Sequence, residues 1–466
     1  MRKYALLPFN FITISNQEVL INELGDFVVA PIGTVQSIIS HTLSDKQLYK
    51  TLVANYFLTE EVLPSLLDIY ASRLRTKKGF LDDRTSLHIF VLTLRCNQNC
   101  TYCQASSQEE LSKHCSMSIE DMTASVQMMF HSPSPHLTME FQGGEPSLEI
   151  NLIKHGIETA EEINKVEKRK LTYVLCTNCR SLSDELLSLC KHYNVLISAS
   201  LDGPSYIHNK NRGRDDSYEK TIEGISKARM ALGNDAVSAL MTTSELALDY
   251  PKEIVDEYVK DGFNGIFLRA LNPYGLAAQN DDWRKYNKRF IEFYKASLDY
   301  IISLNKNGHF FREEYASIIL RKMLTPYTTG FVDLQSPAGT INSVIVYNYD
   351  GYVYASDESR MLAEIHDYSF RLGKVTDRYE DVLCGSVARK MGKVWANEAL
   401  AGCSSCPIKA YCGADPVRHH STQNDLYGFR PTSMVCEKNK AIIEYILSLI
   451  IERGDEVMTI FKSWVR

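Results

Sequence analysis

At 466 residues the chain is long for one core, and two or three domains are the natural expectation. Its 44% hydrophobic and 23% charged content is that of an ordinary globular protein, and a formal net charge of −6 gives no basis for nucleic-acid binding. The longest late apolar run, Ile442 to Ile451, contains Glu444 and is too short to span a bilayer, so no membrane association is expected. The first eleven residues faintly imitate a signal peptide. Pro8 and Asn10 interrupt them, however, and the segment reads as a strand in a cytoplasmic protein. Twelve cysteines in such a chain point to metal or cluster chemistry rather than disulfides.

Residues 4 to 30 turn like short strands, with a hairpin expected around Gly25-Asp26. Helical patterns follow at about 33–42, 46–57 and 59–76, ending in the basic run Arg73 to Lys78, which reads as a solvated helix end. From residue 86 the texture changes to regular strand–helix alternation. Strand-like runs end at Leu94, Phe141, Cys176, Leu201, Thr242 and Leu271, with helical patterns between them. Ser118 and Ser183 look like helix starts. About six parallel β/α units argue for a partial barrel, in which chemistry collects at the C-terminal strand ends.

The candidate site residues all fall there. Cys96, Cys100 and Cys103 follow the first strand, close enough on one loop to hold an iron–sulfur cluster while leaving one iron without a protein ligand. A zinc loop is the bland alternative, but zinc prefers four protein ligands. Gln142-Gly-Gly-Glu-Pro146 follows the second strand: Gly143 and Gly144 let the backbone pass close to a ligand, and Glu145 could pair with an ammonium. Thr177-Asn178 follows the third strand; Ser200 and Asp202 end the fourth, with Arg212 ten residues on.

Together these motifs resemble the radical S-adenosylmethionine (SAM) superfamily over residues 86 to 271. The resemblance implies a 4Fe–4S cluster on Cys96, Cys100 and Cys103 whose open iron chelates SAM. One electron then releases a 5′-deoxyadenosyl radical that abstracts hydrogen from substrate. It further implies that Gly143, Gly144, Glu145, Thr177, Asn178, Ser200 and Arg212 hold SAM. An external electron donor is implied as a partner.

Residues 283 to 325 read as helix, and their stripe of Trp283, Phe290, Phe293, Tyr294, Leu298 and Ile301 reads as core. Val344 to Tyr354 looks like a hairpin around Asp350-Gly351. A second cysteine group, Cys403, Cys406, Cys412 and Cys436, resembles part of the SPASM extension of peptide-modifying radical SAM enzymes. Only the outer cluster's set is complete. Ser356 stands where the family has a cysteine, and Cys412-Gly-Ala-Asp-Pro416 breaks the family's Cys-x3-Cys. One auxiliary 4Fe–4S cluster is therefore expected, with a four-cysteine zinc site as the competing reading. Cys176 and Cys190 read as core packing, and Cys384 could be a stray ligand for an incomplete cluster.

The expected architecture is thus α/β, with four segments. Residues 1–85 form a small winged-helix-like α+β domain, either a leader-peptide recognition module or a cap; 86–275 form a partial (β/α)6 radical SAM barrel. A helical bridge spans 276–340, and 341–466 form a SPASM-like domain with a C-terminal helix. Glu140 to Pro146, Ala239 to Thr243, Tyr354 to Leu362 and Cys412 to Pro416 resemble the radical SAM maturase of the His-Xaa-Ser system. That likeness implies a precursor peptide with His-Xaa-Ser repeats as substrate. A sulfatase-maturase-like enzyme, or a peptide-binding scaffold that has kept the fold, would carry many of the same residues.

Overall fold

The computed structural model describes residues 4–279 and 282–465. The N-terminal part is a three-stranded antiparallel sheet of β1 (Phe9–Ile14), β2 (Gln17–Asn22) and β3 (Phe27–Pro31), in that order. Three helices follow: α1 (Thr34–Ile39), α2 (Lys46–Ala54) and α3 (Pro64–Lys77). Val28, Val35, Ile38 and Leu52 give this part a small core of its own, while Ile14, Val19 and Ile21 join the main core.

The basic run at the end of α3 is not a solvated helix end. Arg73 pairs with Asp26 at 2.9 Å, and Lys78 with Glu398 at 2.5 Å. Lys77 donates to the carbonyls of Lys322 and Thr325, both at 2.6 Å. Helix-end carbonyls lack intrahelical donors, so a lysine that reaches them satisfies them and fixes the approach of the N-terminal part. The chemistry of this run was legible; the surface waiting for it, some 245 residues downstream, was not.

The central sheet begins with β4 (Leu87–Thr93), β5 (His136–Gly143), β6 (Lys170–Thr177), β7 (Leu196–Ser200) and β8 (Val237–Leu240), all parallel. β4 is a nearly unbroken apolar run because helices and neighbouring strands cover both of its faces. Between the strands run α4 (Ile119–Phe130), α5 (Ile150–Glu167), α6 (Asp184–Tyr193), α7 (Ser205–Arg212), α8 (Ser217–Leu232) and α9 (Pro251–Lys260). Ser118 and Ser183 cap α4 and α6, accepting from Asp121 N at 3.0 Å and Leu186 N at 3.1 Å. The sixth strand of the barrel is reduced: Gly265–Ile266 pairs with Arg312–Glu313, and a single bridge joins Thr243 to Ala270.

Two helices, α10 (Trp283–Lys306) and α11 (Glu314–Leu324), lead to β9 (Val344–Tyr347) and β10 (Tyr352–Tyr354). Phe290, Phe293, Tyr294, Leu298 and Ile301 of α10 are buried, as a core stripe requires. β9 lies parallel to β4, with Val344 opposite Leu87, so the hairpin extends the barrel sheet across residue 341. After α12 (Asp357–Ala363), β11 (Arg371–Lys374) completes the sheet order β8-β7-β6-β5-β4-β9-β10-β11. A short helix α13 (Pro416–Gln423) precedes the C-terminal α14 (Met434–Trp464), whose Ile442, Ile446 and Leu449 are buried. No helix among the described residues is long and apolar enough to cross a membrane.

Candidate active site

The loop after β4 is fixed by backbone bonds to three separate elements. Asn99 N and Thr101 N donate to the carbonyls of Arg212 and Asn211 at 3.1 and 2.8 Å, at the end of α7. Leu276 N donates to Cys103 O at 2.8 Å. Gly144 N and Glu145 N donate to Thr93 O and Arg95 O, both at 2.7 Å. This last zipper explains the double glycine differently from the sequence reading. A Cβ on Gly143 would lie 2.2 Å from Thr93 O, and one on Gly144 2.3 Å from Arg95 O. The glycines let two strand ends approach each other, and any ligand contact comes second.

Cys96, Cys100 and Cys103 line one cavity of about 200 Å3. Gly143, Gly144, Thr177, Asn178, Ser200 and Arg212 line it with them. Glu145 does not. It is only 1% exposed, and its carboxylate accepts from Thr177 Oγ1 at 2.6 Å, Asn178 N at 2.8 Å and Ser147 N at 3.1 Å. It stands behind the wall and shapes the Thr177–Asn178 turn.

Arg212 is likewise committed. Its Nε and Nη2 both donate to Asp202 at 2.8 Å, and Tyr102 Oη donates to the same carboxylate at 2.6 Å. Burial alone would raise the Asp202 carboxyl, but the Arg212 guanidinium and these hydrogen bonds hold it below the usual range. The remaining Nη1 lies 3.9 Å from Cys100 Sγ, which puts positive charge beside the cysteine loop. Burial pushes the Cys96 thiol up to about 12 and the Cys100 thiol to about 11. Thiolates so placed need a cation to share their charge.

Several residues of this cavity were not singled out from the sequence. Gln98, between the first two cysteines, is 2% exposed and its Oε1 has no hydrogen-bond partner among the described residues. Met361 of α12 reaches the cavity from the far end of the sequence. Cys176 is not ordinary core either: it lines the cavity, and burial and the neighbouring Glu140 carboxylate raise its thiol well above the usual range. Its position just before Thr177-Asn178 was the available signal.

The second cysteine group sits on tight turns. Cys406 N donates to Cys403 O at 2.9 Å and Cys412 N to Lys409 O at 3.3 Å; Cys436 enters from the first turn of α14, capped by Ser433. All four thiols line one cavity of about 40 Å3. Arg430 Nε donates to Cys403 Sγ at 2.8 Å and Asn439 Nδ2 to Cys412 Sγ at 3.6 Å, two donors that no spacing rule suggested. Ser356 instead caps α12 in a reciprocal pair with Ser359. Cys384 is exposed and away from this cavity.

Residues 90–243 match the Radical SAM superfamily model. Residues 90–243 are a radical SAM domain, and the chain is a radical SAM enzyme. The cysteine-type anaerobic sulfatase-maturating enzyme of Clostridium perfringens is 24% identical over 339 residues, 67% of this chain and 86% of that one. The solved structure of native anSMEcpe with bound AdoMet has a TM-score of 0.63 at 18% identity, covering 80% of this chain and all of that one. Streptococcus suis SuiB bound to its precursor peptide SuiA has a TM-score of 0.54 at 11% identity, over 93% of this chain and 100% of that one. These structural likenesses speak to the fold. The radical SAM family implies a 4Fe–4S cluster and SAM, and the residues present fit them. Three thiols share one cavity, the raised thiols call for metal charge, and the orphaned Gln98 Oε1 lies in the same wall.

Proposed function

We propose that this radical SAM enzyme modifies a ribosomally made precursor peptide, with a His-Xaa-Ser repeat peptide as substrate. The observation that carries the reading is the sharing of one cavity by the three loop cysteines and the residues after the next three strands. Cys96, Cys100 and Cys103 would hold the 4Fe–4S cluster, and Gly143, Gly144, Thr177, Asn178, Ser200 and Arg212 would surround SAM. When bound, the cluster and SAM supply reductive cleavage of SAM and hydrogen-atom abstraction, with the electron coming from an external donor.

The chain's own residues set the geometry for this. Amide hydrogens of Gly144 and Glu145 are spent on Thr93 and Arg95, which fixes that turn against the cysteine loop. Glu145 acts through Thr177 and Asn178 as a positioning residue. Asp202 and Tyr102 hold the Arg212 guanidinium flat against the loop, so its direction is set before anything binds.

At the C-terminal cysteines we favour one auxiliary 4Fe–4S cluster over zinc. Zinc draws its four sulfurs to about 2.3 Å from one centre. Among the described residues no three His, Cys, Asp or Glu side chains converge on a single-ion site, whereas four thiols surround a small cavity. The likeness of these four cysteines to the outer-cluster set of the SPASM extension is what favours the cluster. In the N-terminal sheet, β1 and β3 each pair with β2 alone, leaving edges on which a leader peptide could add as a strand.

The test is anaerobic. Reconstituted enzyme, SAM, a strong reductant and a His-Xaa-Ser peptide are followed for 5′-deoxyadenosine and for a mass change in the peptide, beside Cys96→Ala. We expect both products from wild type and neither from the variant. Deoxyadenosine with an unchanged peptide would reject the substrate. A protein serine or cysteine, the alternative raised by the sulfatase-maturating relative, would then be tried next.

A further inference from the structure

Beside the cofactor cavity lies a second one of about 300 Å3, inside the barrel, and Gln142 belongs to the walls of both. Its apolar sides come from the strands: Leu87 and Ile89 of β4, Leu240 of β8 and Val344 of β9. Its polar groups are four carboxylates, Glu140, Asp333, Asp357 and Glu358, against one guanidinium, Arg269.

The charges do not cancel locally. Asp357 has its own partner in Arg360 Nε at 3.2 Å. That leaves Glu140 and Glu358 with Arg269, whose nearest approach to Glu358 is 3.8 Å, longer than a hydrogen bond, while Asp333 has Arg269, Lys438 and Arg418 near it. Burial, and then repulsion from neighbouring carboxylates, lifts Glu358 above the usual carboxylate range; burial does the same for Glu140. Glu140 and Glu358 are half-buried and Asp333 is exposed. Carboxylates in excess over cations at such a place either take up protons or are relieved by a further cation.

An adjoining cavity shares Phe267, Arg269, Phe331, Asp333 and Glu358 with this one. With the shared residues counted, Asp333, Glu358 and Asp415 face Arg269, Arg418 and Lys438 there, and Asp415, Arg418 and Lys438 are the ones it does not share. Arg418 is 7% exposed and its Nε has no partner among the described residues. The joined space is therefore acidic next to the cofactor cavity and offers a spare N–H donor at its other end.

We propose that this cavity receives a basic side chain of the substrate peptide, its positive group among Glu140, Asp333 and Glu358 and a peptide carbonyl on Arg418 Nε. The apolar strand residues fit the methylene stem of a lysine or arginine or the ring of a protonated histidine. The assignment rests on the peptide-modifying reading above and deepens it. A network that only braced the barrel would leave ligand choice untouched, and this is the difference the experiment reads.

The probes are the N-acetyl, N′-methylamides of lysine, arginine, histidine and norleucine, titrated by saturation-transfer NMR into anaerobic, cluster-loaded enzyme with SAM bound. At least one basic amide should bind ten times more tightly than the norleucine amide. Glu358→Gln should lower that affinity at least tenfold while the norleucine amide changes less than threefold. Melting curves accompany each variant, and Asp333→Asn repeats the test should Glu358→Gln fail to fold. Equal affinity for norleucine, no binding of any amide, or a preference that survives both substitutions would overturn the site. 5′-Deoxyadenosine is measured in the same samples. Its absence counts against the radical chemistry, whereas a missing charge preference counts against the cation site alone.

Discussion

The two cysteine sites are held in opposite ways. The barrel triad sits on a loop whose backbone is bonded to strand ends and to α7, around a cavity of about 200 Å3 that polar groups of four strand ends share. The C-terminal quartet sits on tight turns and one helix, around about 40 Å3, with Arg430 and Asn439 donating directly to sulfur. The triad has protein donors too: Ser107 N donates to Cys103 Sγ at 3.4 Å, and Arg212 Nη1 lies 3.9 Å from Cys100 Sγ. The rest of that arginine is spent on Asp202, however, and an acceptor, Gln98 Oε1, is left over. The roomier cavity with unspent hydrogen-bonding capacity would suit an exchangeable molecule, and the tighter one, with donors on its sulfurs, would suit a permanent group.

The largest effect expected from that contrast is on activity. Cys96→Ala should abolish 5′-deoxyadenosine formation, a loss of more than about 1,000-fold, because no step survives without the first cluster. Cys403→Ala should lower iron by about four from about eight per chain, yet reduce deoxyadenosine formed without peptide less than about tenfold. Iron analysis with anaerobic turnover of the two variants checks this. Loss of one zinc in place of iron from Cys403→Ala would instead make the second site structural.

Next in size is the ion pair that directs Arg212. Asp202→Asn leaves a buried guanidinium without its counter-charge, which costs about 3 kcal/mol. Chemical denaturation should register that loss, and SAM affinity should fall with it. Tyr102→Phe removes one hydrogen bond of the same carboxylate and should cost about 1 kcal/mol. If the two variants lose equal stability, the ion pair is not what fixes the arginine.

Gly144→Ala tests the zipper between β5 and the cysteine loop. Its methyl would sit 2.3 Å from Arg95 O and 2.5 Å from Leu94 O, backbone atoms that cannot move without shifting the loop. We expect about 2–3 kcal/mol of destabilisation and poor cluster loading. Full loading with a lowered melting temperature would mean that the loop adapts and that the glycine matters only for packing.

Much of this was legible in the sequence because each motif ends a strand, and strand ends of a barrel meet. Cys96, Cys100, Cys103, Thr177, Asn178 and Ser200 converge for that reason, and Arg212 joins them from the end of α7. What the sequence concealed is what the groups are spent on. Glu145 and Arg212 are both charged and both in motifs, yet each is already bound to the protein. Hydrogen-bond accounting needs three-dimensional neighbours. The same holds for Lys77 and Lys78, whose partners Lys322, Thr325 and Glu398 lie hundreds of residues away. The charged cavity draws Glu140, Arg269, Asp333 and Glu358 from four separate segments, with no spacing to announce it.

The smallest predicted effect on affinity separates the two readings of Glu145. As a positioning residue it acts only through Thr177 and Asn178, and glutamine can still accept from the Thr177 hydroxyl. Glutamine loses the second acceptor, because its Nε2 would then face the N–H of Asn178. Glu145→Gln should therefore cost about 1–2 kcal/mol in stability and weaken SAM binding less than about tenfold. Had the carboxylate been the partner of an ammonium, removing its charge would weaken binding by about a hundredfold or more at little cost to the fold. Equilibrium binding of SAM to the loaded variant, read beside its melting curve, assigns the residue to one side of the cavity wall or the other.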